Sequence, residues 1–204
     1  GPRAVLYGSD AIGGVIQIFT RRSDGAQAAV GAGSYDTRQI EAGWGGGNAL
    51  RASVYASAAD SNGFSAQNER GFSFDPDNDG YQYASVSAAA ASALTADTNL
   101  ELRAWQNSGK VDFDQGTSDT LNRTVSARLH QRATQNWTHT FAAGYVRDDL
   151  DTESGFPSQF TTDRYMADWQ HDIQLGAAGL LTAGLAYVQE HATNIDRLAD
   201  TTVY

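Results

Sequence analysis

Apolar and polar residues alternate along most of the chain in segments of about ten residues. Residues 50–58 place Leu, Ala and Val at even positions and mainly Arg, Ser and Tyr at odd positions, and similar alternation recurs at 100–105, 124–130, 137–145 and 181–187. A period of two is typical of strands with one apolar and one polar face. Strands of this length exceed the usual globular strand and suit a tilted membrane-spanning strand. We therefore predict about nine antiparallel strands and the start of a tenth at residues 201–204.

The predicted connections alternate between short and long. Short turns are expected at residues 46–48, 95–98, 133–136 and 176–179, and long polar loops at 59–80, 109–120, 149–161 and 192–200. The first hairpin, at residues 34–36, is short where a long loop is due. Outer-membrane barrels sort their connections in this way, with short periplasmic turns and longer extracellular loops. A soluble β-sandwich or β-helix shares the alternation and remains the alternative fold. The alanine-rich residues 88–94 favour a helix by propensity, but they continue a strand pattern and are predicted as strand.

Composition limits the function. The chain has 204 residues, no Cys, and a net charge of −10, and no run of about 18 apolar residues could form a transmembrane helix. The scattered Lys and Arg residues argue against a nucleic-acid partner. The four His residues lack ligand partners at metal-binding spacing, and no Gly-x-Ser-x-Gly motif is present, so we predict that the protein is not an enzyme and has no catalytic residues.

The first 22 residues read GPRAVLYGSDAIGGVIQIFTRR and carry the most specific motif. The arrangement R-x-x-L-Y-G-S-x-A-x-G-G-V-I-x-I-x-T resembles the closing segment of the plug domain in TonB-dependent outer-membrane receptors. Plugged transporters of this class have 22-stranded barrels. The resemblance implies that residues 1–25 end a plug domain and residues 26–204 begin a barrel. The expected fold is all-β: a partial antiparallel transmembrane β-barrel with about 9–10 of the 22 strands.

An acidic motif lies in the longest predicted loop. Residues 75–80 read DPDNDG, which matches the opening of a calcium loop, where alternate carboxylates precede a glycine. The twelfth position is Val86 and no helix pattern flanks the motif, so an EF-hand is excluded. Calcium requires six to eight oxygen ligands, and the next long loop offers Asp112, Asp114 and Asp119. A solvated turn without an ion explains the motif equally well.

Residues 77–81 (DNDGY), followed by a strand and a loop with Val111-Asp112 and Asp119, resemble the vitamin B12 (cobalamin) receptors among the TonB-dependent receptors. In that family the two loops bind calcium, and the resemblance implies Asp77, Asp79, Asp112 and Asp119 as ligands. The family has a further Asp early in the first loop, where this chain has Gly63-Phe64-Ser65. Asp75 is the candidate replacement.

The resemblance implies an energy-coupled receptor in the outer membrane of a Gram-negative cell that imports a corrinoid such as vitamin B12. The expected cofactor is calcium. The expected partners are cobalamin or a siderophore, outer-membrane lipid, and the TonB energy-coupling protein, whose contact region would lie upstream of this fragment. A siderophore receptor on the same scaffold is the nearest alternative, and a passive porin or adhesin barrel is a more distant one.

Overall fold

The computed structural model describes residues 24–72 and 74–196. Within these residues the chain forms nine strands in one antiparallel sheet, in the order β1 to β9, and one short 3-10 helix at Gly176–Ala178. The strands are β1 (Gly25–Ala32), β2 (Arg38–Gly46), β3 (Leu50–Phe64), β4 (Asp79–Thr95), β5 (Thr98–Phe113), β6 (Gly116–Thr134), β7 (Trp137–Glu153), β8 (Ser158–Gln174) and β9 (Leu180–Asp196). The predicted plug segment, apart from its last two residues, and the predicted tenth strand lie outside the described residues.

Each strand pairs only with its neighbours in sequence, as a meander of hairpins. This confirms the predicted all-β, antiparallel fold. The alanine-rich residues 88–94 lie within β4, where the strand is hydrogen-bonded to β3 on one side and β5 on the other. Backbone pairing on both sides therefore overrides the helix propensity of alanine in this segment.

The sheet has two chemically different faces. One row of cross-strand partners begins with Trp44, Val54 and Ala88 and continues through Ala104 and Val125, so we call this side the apolar face. The adjacent row on the other side contains Tyr55, Ser87, Trp105 and Thr124, and we call it the polar face.

The sheet has almost no interior of its own. Among the described residues, Ala59 is the only buried hydrophobic side chain, whereas Val54 and Val125 on the apolar face are about half exposed. No helix in the described part of the chain has the length and apolarity required to cross a bilayer.

The strands are longer than the sequence pattern predicted. β3 to β9 contain 15 to 19 residues each, and the expected long loop at 109–120 is a hairpin that turns at residues 114–115. The expected loop at 149–161 shortens to residues 154–157, and among the described residues only 65–78 form a long connection. Polar cross-strand pairs sustain these extensions, including Asn122 Nδ2, which donates to Asp148 at 2.7 Å, and the hydroxyls of Ser118 and Thr152, 3.1 Å apart. Antiparallel pairing thus continues where the apolar alternation has ended.

Candidate metal site at the acidic loop

Hydrogen bonds join the two ends of the loop at residues 65–78. The hydroxyl of Ser65 donates to the carbonyl oxygen of Asp75 at 3.1 Å. The backbone N–H of Ala66 donates to Oδ2 of Asp79 at 2.6 Å, which holds one oxygen of this carboxylate at the start of β4. These contacts keep the acidic motif close to the end of β3.

A bulge in β3 positions Asp79. The register of the β3–β4 pair shifts between Ser61 and Phe64, and Gly63 lies in the left-handed region with φ +66°. A Cβ atom at Gly63 would lie 1.9 Å from the carbonyl oxygen of Asp79. Glycine is therefore required here both for its backbone conformation and for the close approach of β4.

The β5–β6 hairpin supplies a third carboxylate. Phe113 pairs with Gly116, so Asp114 and Gln115 form the turn, and Gln115 has φ +66°. The backbone N–H of Asp75 donates to Oδ2 of Asp114 at 3.2 Å. The tip of this hairpin thus contacts the acidic loop directly.

Asp77, Asp79 and Asp114 form a cluster in which one carboxylate oxygen of each lies within 4.8 Å of the others. Oδ1 of Asp79 is buried and has no hydrogen-bond partner among the described residues. The side chain of Asp77 is exposed to solvent. Partial loss of solvent around its carboxylate, together with the negative charges of Asp75, Asp79 and Asp114, raises the pKa of Asp77. Among the described residues none of the three carboxylates forms a salt bridge, so no ion pair offsets their mutual repulsion.

The donor set fits a hard cation. Three carboxylates offer up to six oxygens, and calcium takes six to eight oxygen ligands in flexible geometry. The buried, unpartnered Oδ1 of Asp79 is an oxygen that a cation would satisfy. No His or Cys belongs to the cluster, so its chemistry favours calcium or magnesium over a soft transition metal.

The structure brings together some of the predicted ligands and separates others. Asp77 and Asp79 lie in the cluster, and Asp75 contacts it through its backbone N–H. Asp112 lies within β5 with Thr117 as its cross-strand partner, and Asp119 lies in β6 between Lys110 and Asp151, so neither belongs to the cluster. Asp114 takes the third position. A sequence signal for it exists, because an Asp-Gln-Gly run between two alternating segments favours a tight turn that would place Asp114 at the hairpin tip.

The known proteins that resemble this chain belong to the class that its sequence predicted, outer-membrane receptors and transporters. The vitamin B12 transporter BtuB of Photobacterium profundum is 29% identical to this chain over 223 residues, which cover 95% of the chain and 34% of the transporter. The crystal structure of the siderophore receptor PiuA from Acinetobacter baumannii matches 85% of this chain and 31% of the receptor, with a TM-score of 0.69 and 13% identity. No family model matches the chain.

The chain thus resembles the TonB-dependent outer-membrane receptors, as its first residues predicted, and the open antiparallel sheet is consistent with part of their barrel. The resemblance in sequence is to a vitamin B12 transporter, and the likeness to the siderophore receptor is one of fold. The chain spans about a third of the length of both proteins. Both are named as a transporter or a receptor and neither as an enzyme, which is consistent with the predicted absence of catalysis.

Proposed function

We propose that the chain is part of an energy-coupled outer-membrane receptor that imports a corrinoid such as vitamin B12, and that its outer loops are ordered by calcium. The observation that carries the proposal is the cluster of Asp77, Asp79 and Asp114, which joins two separate outer connections of a chain similar to a vitamin B12 transporter. As part of such a receptor, the chain would lie in the outer membrane with lipid against its apolar face. Its protein partner would be the TonB energy-coupling protein.

The described residues prepare the loop for binding. Asp79 is held by Ala66, and Asp114 is held by the backbone of Asp75, so two of the three carboxylates are fixed by neutral N–H donors. Asp77, the exposed member, closes the cluster from the solvent side. Calcium bound by these three residues would supply the positive charge that offsets their repulsion. A loop fixed to the hairpin tip presents a defined surface to a large ligand and lowers the entropic cost of binding.

Calorimetry on the complete receptor tests the proposal. We expect heat from calcium binding, and cobalamin affinity that falls in chelator and returns when calcium is added. The double variant Asp77→Asn with Asp79→Asn should behave like the chelated receptor while its barrel assembles normally, because Asn has the size of Asp and its side-chain oxygen can still accept the hydrogen bond from Ala66. The control is Asp168→Asn with Asp172→Asn, which removes the same charge from β8 near its opposite, short-turn end.

The siderophore receptor is the alternative reading of the same scaffold. Cobalamin binding that is indifferent to chelator, with no heat from calcium, would overturn the calcium site. Binding of a ferric siderophore without binding of cobalamin would replace the corrinoid assignment with this alternative. Uptake that continues without energy coupling would indicate a passive porin.

A further inference from the structure

Two exposed aromatic rings lie together at the end of the sheet that carries the acidic loop. The ring centroids of Tyr35 and Phe64 are 5.0 Å apart, and the two residues are 58% and 54% exposed. Phe64 is the cross-strand partner of Asp79, and Asp79 is an even number of positions from Ser87 in β4, so these residues lie on the polar face. In a barrel the polar face lines the interior, which places both rings at its mouth.

The backbone of the β1–β2 turn is strained where it presents Tyr35. The backbone N–H of Thr37 donates to the carbonyl oxygen of Ser34 at 3.2 Å, which closes a turn over residues 34–37. Both central residues, Tyr35 and Asp36, have positive φ, at +60° and +54°. Turns of this kind prefer Asn-Gly, because a side chain is disfavoured in the left-handed region. A glycine would relieve the strain at position 35, so this chain carries the tyrosine ring at a conformational cost.

Hydrogen bonds hold this turn against the bulge in β3. The backbone N–H of Asn62 donates to the carbonyl oxygen of Tyr35 at 3.0 Å, and the side-chain amide of Asn62 donates to Oδ2 of Asp36 at 2.9 Å. The hydroxyl of Ser61, a residue that is 7% exposed, also donates to the carbonyl oxygen of Tyr35, at 3.3 Å. The bulge that sets the position of Asp79 therefore also fixes the turn that carries the tyrosine ring.

We propose that Tyr35 and Phe64 contact the imported corrinoid directly, as an aromatic platform at the mouth of the barrel. Backbone strain that the surrounding structure maintains is typical of ligand-binding positions. Aromatic side chains offer a large and rigid contact area at a low entropic cost. The inference rests on the proposed function and adds to it two residues that bind the ligand.

The charges near the platform favour an uncharged ligand. The carboxylate of Asp36 lies in the same turn as Tyr35, and Asp79, the partner of Phe64, belongs to the acidic cluster. Among the described residues no salt bridge neutralises Asp36. An anionic ferric complex would be repelled at this position, whereas cyanocobalamin carries no net charge. The platform therefore fits the corrinoid better than it fits an anionic siderophore complex.

Calorimetry with the complete, calcium-loaded receptor tests the platform, and cyanocobalamin is the probe. Tyr35→Gly suits the positive φ of the turn and removes only the ring, so it should leave calcium affinity unchanged and lower cyanocobalamin affinity by about tenfold or more. Phe64→Ala should lower cyanocobalamin affinity to a similar extent. Tyr35→Phe keeps the ring and should bind cyanocobalamin like the wild type.

Phe156→Ala is the matched control. Phe156 is 80% exposed in the turn between β7 and β8, so the variant removes an exposed ring from a different connection and should leave cyanocobalamin affinity unchanged.

Three results with the variants would overturn the inference: wild-type cyanocobalamin affinity in Tyr35→Gly, an equal loss in Phe156→Ala, or a loss of calcium affinity in Tyr35→Gly. The wild-type receptor separates this inference from the proposed function. If the wild type binds cyanocobalamin and Tyr35→Gly binds it equally well, the platform alone is refuted. If the wild type binds no corrinoid, the proposed function is refuted together with the platform.

Discussion

The backbone N–H of Asp75 donates a hydrogen bond of 3.2 Å to a carboxylate oxygen of Asp114, which lies 39 positions further along the chain. This contact ties the loop between β3 and β4 to the tip of the β5–β6 hairpin. It also places Asp114 beside Asp77 and Asp79. The second loop therefore meets the acidic motif at its turn, whereas Asp112 and Asp119 lie along the strands that lead to it.

The first prediction separates these aspartates. Asp114→Asn should lower calcium affinity by about tenfold or more, because affinity follows the number of charged ligands. Asp112→Asn and Asp119→Asn should have little effect, since neither belongs to the cluster. Calorimetric titration of calcium into the complete receptor measures all three. A larger loss in Asp112→Asn than in Asp114→Asn would restore the ligand set that the family resemblance implied.

The second prediction concerns pH. The pKa of Asp77 is raised in the folded loop above the ordinary value of 3.8, so the folded loop takes up a proton more readily than the unfolded chain. In chelator, the acidic loop should therefore become more protected from hydrogen exchange as the pH falls from neutral towards that value. Calcium affinity should fall over the same range, because protons compete for the carboxylate.

Asp77→Asn provides the control for this pH dependence. The variant has no titratable group at the exposed position, so its loop protection in chelator should vary less with pH than that of the wild type. If the loop protection of both proteins depends on pH to the same extent, the charge of Asp77 is not what destabilises the loop.

The sequence pattern predicts the strands better than it predicts their ends. The alternation of residues such as Leu50, Val54 and Ala58 with Arg51 and Tyr55 places both faces of the sheet correctly, because period two is a direct consequence of strand geometry. The four short turns are also confirmed. The outer ends were missed because residues 117–120 and 151–153 are polar on both faces, so no alternation marks them as strand.

The acidic site shows the same limit. The spacing of Asp77 and Asp79 indicates that both carboxylates can gather on one side of a turn, and the structure places them together. Which residue of the next connection joins them depends on where the β5–β6 hairpin turns. The turn falls at Asp114 because β5 and β6 extend further than their apolar alternation. The spacing of residues in the sequence does not predict how long these two strands are.

The third prediction concerns residues 1–204 as an isolated chain. Ala59 is the only buried hydrophobic side chain in the described part, and the outer strands of the sheet, β1 and β9, leave backbone groups unpaired. Because the described part has almost no core and leaves two sheet edges open, we expect this chain alone to aggregate in detergent-free buffer. Sedimentation and thermal unfolding measure this. A soluble monomer with one cooperative unfolding transition would contradict the prediction and favour a self-contained β-protein.

The last prediction concerns the bulge that sets the acidic site. Gly63→Ala would bring a Cβ atom to within 1.9 Å of the carbonyl oxygen of Asp79 and would strain the backbone at φ +66°. The start of β4 must then move, and Asp79 moves with it away from Asp114, so calcium affinity should fall although no carboxylate is lost. Gly155→Ala is the matched control, because nothing lies within 4 Å of a Cβ atom there. Calcium titration of both variants measures the effect, and equal affinities would show that the position of Asp79 does not depend on the bulge.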